Sequence, residues 1–175
     1  MMNQQQNVNS RDIPAWALQQ HTGLTYNGAP RQYRFDGSMG IFVIGEQFVG
    51  TKITAQIITT RWKEGERWGR TRQSWLDVAF VDDTRVVSLL ALKKESAINL
   101  HEWMLSSLRE TTTTTIDPSA VRVELEATQR LTEEQEKYWV VSAGDWEFVT
   151  KPEFDQVQEF YESNRMDWIY TGEVS

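Results

Sequence analysis

The chain has 175 residues, 39% of them hydrophobic and 25% charged, with a mean hydropathy of -0.54 and no cysteine. That length suits one domain burying about two-thirds of its extended surface, and no apolar run approaches the roughly 18 residues of a membrane-spanning helix. Without cysteine, disulfides, thiolate metal sites and cysteine nucleophiles are excluded, and a soluble cytoplasmic protein is the expectation.

Residues 1–10 are polar and Gln/Asn-rich, without a basic start followed by an apolar stretch. They are expected to be a disordered N-terminal segment, not a signal or transit sequence, ahead of one domain over residues 11–175. Arg31, Tyr33, Arg34 and Phe35 form a short basic and aromatic run that reads as an amphipathic edge strand. Glycine-containing turns at 36–40 and 45–50 bracket Ile41 to Ile44, a short buried strand. Lys52 to Trp62 is β-branched and partly alternating, the mark of a long strand. Trp75 to Val81 and Arg85 to Lys93, joined at Asp82-Asp83, read as a hairpin.

Ser96 is placed to cap a helix to about Arg109, with Ala97, Leu100, His101, Met104, Leu105 and Leu108 along its apolar stripe. A loop with five threonines and Asp117-Pro118 follows. Val121 to Ala127 alternates as a half-exposed strand. Tyr138 to Ser142 and Trp146 to Val149 read as a hairpin about Ala143-Gly144-Asp145. Thr150 and Glu153 form a capping box opening a last helix, with Pro152 in its first turn and Phe154, Val157 and Tyr161 on its buried side.

Strands, a helix, further strands and a second helix exclude alternating βαβ order and predict an α+β, mainly β fold. An OB-like or other small Greek-key barrel fits the element order, with 52–62, 75–81, 85–93, a helix packed on it, 120–127 and 137–142 in sequence. The C-terminal helix and the residues before 50 would decorate it.

Function concentrates in Arg61 to Trp75, which holds five basic residues, two acidic ones, three tryptophans and two glycines. Cations that meet phosphates and aromatic faces that stack on bases are what single-stranded DNA or RNA is bound by. In the OB-like order this segment is also the loop between the first two strands. Arg61, Trp62, Lys63, Arg67, Trp68, Arg70, Arg72 and Trp75 are therefore the expected contacts of a sequence-tolerant, non-catalytic nucleic-acid-binding protein. Arg31, Tyr33 and Arg34 are a candidate extension.

Charge is uneven, with 12 Lys/Arg against 8 Asp/Glu in residues 1–94 and 6 against 17 in residues 95–175. A second expectation follows, a protein-interaction or regulatory module whose acidic C-terminal region engages a protein partner through Trp168 and Tyr170. Glu133, Glu134 and Glu136, in the loop from Thr128 to Glu136, count against a groove running across both that loop and Arg61 to Trp75. Catalysis has no motif to support it: no phosphate loop, nucleophile elbow or HExxH helix occurs. His101 reads as a packed residue on a helix face. Two histidines eighty positions apart make a histidine metal site unexpected, and no cofactor is expected.

Overall fold

The computed structural model of the chain describes residues 23–66, 72–109, 115–163 and 166–171. The expected N-terminal segment 1–10 lies outside these residues. Eight strands, β1 (Arg31–Asp36), β2 (Ile41–Ile44), β3 (Gln47–Gly50), β4 (Lys52–Gly65), β5 (Gln73–Val81), β6 (Val87–Lys93), β7 (Val121–Leu131) and β8 (Lys137–Phe148), form one sheet. It curls into a half-barrel in the order β3-β2-β1-β6-β5-β4-β7-β8. Among these eight strands only β1 and β6 pair in parallel, a direction continued by the isolated bridge between Thr25 and Val86. Three helices, α1 (Lys94–Ser106), α2 (Lys151–Glu162) and α3 (Asp167–Thr171), and a 3-10 turn at Pro118–Ala120 complete the described chain.

The fold is thus α+β and mainly β, but the strands do not close on themselves. A barrel would bring β6 to β8, whereas the outer edge of β6 is taken by β1, from the region expected to be peripheral. β1 is accordingly an interior strand, bonded to β2 and β6, and not the edge strand its amphipathic pattern suggested. The edge is β3, inside a stretch whose glycines read as a turn. Residues 137–148 also depart from expectation. They form one strand along β7, with Gly144 and Asp145 bulged opposite Glu124 where a turn had been placed.

β5 and β6 explain where the core lies. Val78 to Val81 and Val87 to Leu90 are buried on both faces, as a near-continuous apolar run requires. One face carries Phe42, Ile57, Leu76, Phe80, Leu90 and Leu125 against Leu100 and Trp103 of α1. The other carries Ala79, Val87 and Leu89 against Phe160 of α2 and Met166, Trp168 and Ile169 at α3. The capping box at Thr150 and Glu153 is formed as the sequence predicts, but Phe160 is buried in place of Tyr161, which is 40% exposed.

The start of α1 differs from the sequence expectation in a consequential way. Lys94 sits at φ 49, a left-handed conformation that turns β6 directly into the helix. Ser96 is therefore already inside the helix, and its hydroxyl accepts the backbone N–H of Val141 at 2.9 Å. Asn99 donates to the Val141 carbonyl at 3.1 Å. The outer edge of β8 thus finds its partners in helix side chains, which protects an otherwise open edge. Further along the same edge, the Trp139 N–H donates to the Gly37 carbonyl in the β1–β2 turn at 2.8 Å. Gly40 completes this contact, since at φ 70 a Cβ there would stand 2.4 Å from the Trp139 ring.

Gly40→Ala is expected to lower stability by about 3 kcal/mol, combining left-handed strain with displacement of the indole. Gly45→Ala, at φ 60 with no atom near its added methyl, should lose only about 1 kcal/mol. Urea unfolding of the two variants checks this, and equal losses would contradict a steric role for Trp139.

Candidate functional site

The tryptophan-rich segment folds largely as the β4–β5 hairpin, and its register separates the residues expected to act together. Trp62 lies opposite Leu76, and Lys63 opposite Trp75. Successive strand residues alternate faces, so Trp62 and Trp75 point to opposite sides of the sheet. Trp62 is 43% exposed and meets the His101 ring edge-on at 5.7 Å, so His101 packs as the sequence suggests. Trp75 is 2% exposed, donates its indole N–H to the Gly65 carbonyl at 3.1 Å, and lies under the Lys93 ammonium at 5.6 Å. These two rings cannot form one stacking platform.

The hairpin cations are also partly used. Lys63 Nζ stands 3.2 Å from the buried carboxylate of Asp77, and Arg61 faces the same residue across the register. Such a cation offsets part of the cost of burying the carboxylate. Arg72 is exposed and lies 3.9 Å from Glu64, a surface pair of little energetic weight. Arg67, Trp68 and Arg70 lie outside the described residues.

The candidate extension divides. Tyr33 is buried and donates its hydroxyl to Asp82 at 2.8 Å, and Arg31 reaches the same carboxylate oxygen at 2.8 Å. The other oxygen accepts the Thr84 hydroxyl and the N–H groups of Thr84 and Val86. Burial alone would raise the Asp82 pKa, but hydrogen bonds from Thr84, Val86 and Tyr33 and the Arg31 charge together hold it below its ordinary value. Burial first, and then Asp82, push the Tyr33 hydroxyl well above its usual range. Arg31 and Tyr33 therefore pin the β5–β6 turn to β1. Only Arg34 points elsewhere.

Arg34 lines a cavity of about 610 Å³ between the β1–β2 turn, the β6–α1 junction and the start of β8. Lys93, Lys94 and Lys137 join it as cations. Arg34, Lys94 and Lys137 are exposed and form no ion pair with any described residue. Aromatic walls come from Phe35, Trp75, Tyr138 and Trp139. The two carboxylates in the lining are engaged. Asp36 accepts from Ser38 and Met39, and the Ser38 hydroxyl above all lowers its pKa. Glu95 accepts from Arg130 at 3.1 Å and from the Tyr138 hydroxyl at 3.1 Å. No side chain caps the first turn of α1, which opens on this cavity.

The structure therefore gathers Arg34 and Trp75 from the sequence-predicted residues and adds Lys93, Lys94, Lys137, Tyr138 and Trp139. The missed residues were legible only as isolated pairs, Lys93-Lys94 and Tyr138-Trp139, separated by 43 positions. Nothing local shows that the curl of the sheet unites them.

Trp168, expected as a candidate partner anchor, is 8% exposed and packed in the smaller core. The side chain of Tyr170 lies outside the described residues. Among the described residues no cluster of His, Asp and Glu could hold a metal ion, and no helix is long and apolar enough to cross a membrane. No protein-family model matches this chain, and no curated protein matches it either.

Asp82→Asn should lower stability at neutral pH by about 3 kcal/mol, because an amide cannot serve all the donors that converge on the carboxylate. A carboxyl whose pKa is depressed on folding stabilises fully above its unfolded value, 3.8, and that contribution is lost as pH falls through the folded value. Denaturant midpoints of parent and variant should therefore converge below that range. A neutral-pH midpoint unchanged by the substitution would rule out the network described here.

Proposed function

We propose that the protein is a non-catalytic, sequence-tolerant binder of single-stranded nucleic acid, and that its contact surface centres on the cavity beside Trp139. One observation carries this reading: three exposed cations with no ion-pair partner among the described residues, and a fourth over Trp75, surround an aromatic-walled cavity of ligand size. These cations hold no ion pair with a described residue, although Arg34 also acts on nearby Asp36, whereas those of the hairpin have been partly spent on Asp77 and Glu64. Arg34, Lys94 and Lys137 would meet phosphates. Phe35, Tyr138 and Trp139, each half-buried, would offer ring edges and faces to bases at about 1–3 kcal/mol per stacked base.

The overall charge of -7 does not oppose this. Salt confines fields to roughly 8–10 Å, so a local basic surface acts on its own. β4, β5, β6, α1, β7 and β8 follow one another in the element order of an OB-like barrel, although the sheet stays open. A cysteine-free chain suits the cytoplasmic location that this role implies.

Fluorescence anisotropy of a labelled oligothymidylate, titrated across salt concentrations, tests the proposal. Each phosphate contact contributes roughly 0.7 to the slope of log affinity against log salt for a single strand. A variant combining Arg34→Ala, Lys94→Ala and Lys137→Ala should reduce that slope by about 2. Absence of binding by the parent protein at about 50 mM salt, or an unchanged slope in the variant, would remove the cavity as the site.

A further inference from the structure

We propose that the cavity receives the end of a strand, a single nucleotide carrying a terminal phosphate monoester, and not an interior stretch of backbone. The proposal rests on the nucleic-acid reading above and narrows it to one chemical feature.

Size is the first argument. A volume of about 610 Å³ lies in the range of small-ligand pockets, while sequence-tolerant single-strand binders span roughly 4 to 16 nucleotides. The cavity holds one unit of a strand, not a footprint.

Closure is the second. A strand that passes through needs two openings, yet two seams between the walls are bonded shut. The Trp139 N–H donates to Gly37, joining β8 to the β1–β2 turn. Ser96 and Asn99 bond the two backbone groups of Val141, joining β8 to α1. The Trp139 indole lies against Gly40 at the first seam, where no side chain could fit between them.

Charge is the third. Four cations line the cavity against two carboxylates that already have donors. An interior phosphodiester brings one negative charge, whereas a phosphate monoester brings about 1.5 to 2 at neutral pH. The excess of cations suits the latter. Among the described residues, the neighbouring cations are already engaged: Lys63 by Asp77, Arg72 by Glu64 and Arg130 by Glu95, and the turn before Lys137 carries Glu133, Glu134 and Glu136, all exposed.

The test compares four forms of one oligonucleotide with the full chain at low salt: linear with a 5′-phosphate, linear with a 3′-phosphate, linear with hydroxyls at both ends, and covalently circular. At least one phosphorylated form should bind about tenfold more tightly than the hydroxyl and circular forms. That preference should shrink as pH falls through about 6, where the monoester loses its second charge, and Lys137→Ala should diminish it. Equal affinity for all four forms would overturn the terminal-phosphate proposal and leave nucleic-acid binding standing. Binding of none would overturn both.

Discussion

Among the described residues no strand pairs with the outer edge of β8, and the way its backbone groups are satisfied shapes the rest of the described structure. Trp139 gives its N–H to the Gly37 carbonyl, and Val141 is held on both sides by Ser96 and Asn99 of α1. Backbone donors and acceptors left unpaired on a partly buried edge would each cost a few kcal/mol at most, so these bonds are small individually. Their geometric effect is large. They draw the β1–β2 turn, the β6–α1 junction and β8 together, and the space they leave between them is the cavity. Lys94 in a left-handed conformation is the local accommodation that lets α1 begin where this closure needs it.

Elsewhere, buried polar groups serve to lock elements together. Arg85, itself left-handed at φ 61, donates to Gln56 of β4 at 2.7 Å and to Gln156 of α2 at 2.9 Å. Gln56, 1% exposed, donates in turn to the carbonyls of Ser119 and Glu153. Asp82 plays the same part in the same β5–β6 turn, on the side facing β1. Because these groups satisfy one another, the cations among them, Arg31 and Arg85, are withdrawn from any ligand. A distinction between cations committed to the fold and cations left exposed is what separates Arg34 from its neighbours in β1.

Much of this architecture was legible in the residues. Alternation and β-branching marked β4 and β7, the Asp82-Asp83 turn marked the β5–β6 hairpin, and Thr150 with Glu153 marked the start of α2. Long-range pairing was not legible. The basic and aromatic run at Arg31 to Phe35 has the pattern of an edge strand, yet its neighbours are chosen by a parallel contact with β6, more than fifty residues away, which no local pattern encodes. Gly144 reads as a turn residue because glycine serves bulges and turns alike. Ser96 reads as a cap because its use on the edge of β8 depends on a strand still 41 positions downstream.

The candidate site was legible in composition and illegible in place. The segment 61–75 does concentrate tryptophan and arginine, but a one-residue offset in a hairpin sends Trp62 and Trp75 to opposite faces, and Asp77 draws Lys63 inward. The surface that keeps uncommitted charge is assembled from four separate stretches. Eight tryptophans provide the most direct measurement. In a nuclear magnetic resonance titration of labelled protein with a short oligothymidylate, the indole N–H signals of Trp139 and Trp75 and the amides of 93–96 and 137–139 should shift together. Shifts confined to Trp62 and residues 66–72, with Trp139 unmoved, would contradict binding at the cavity.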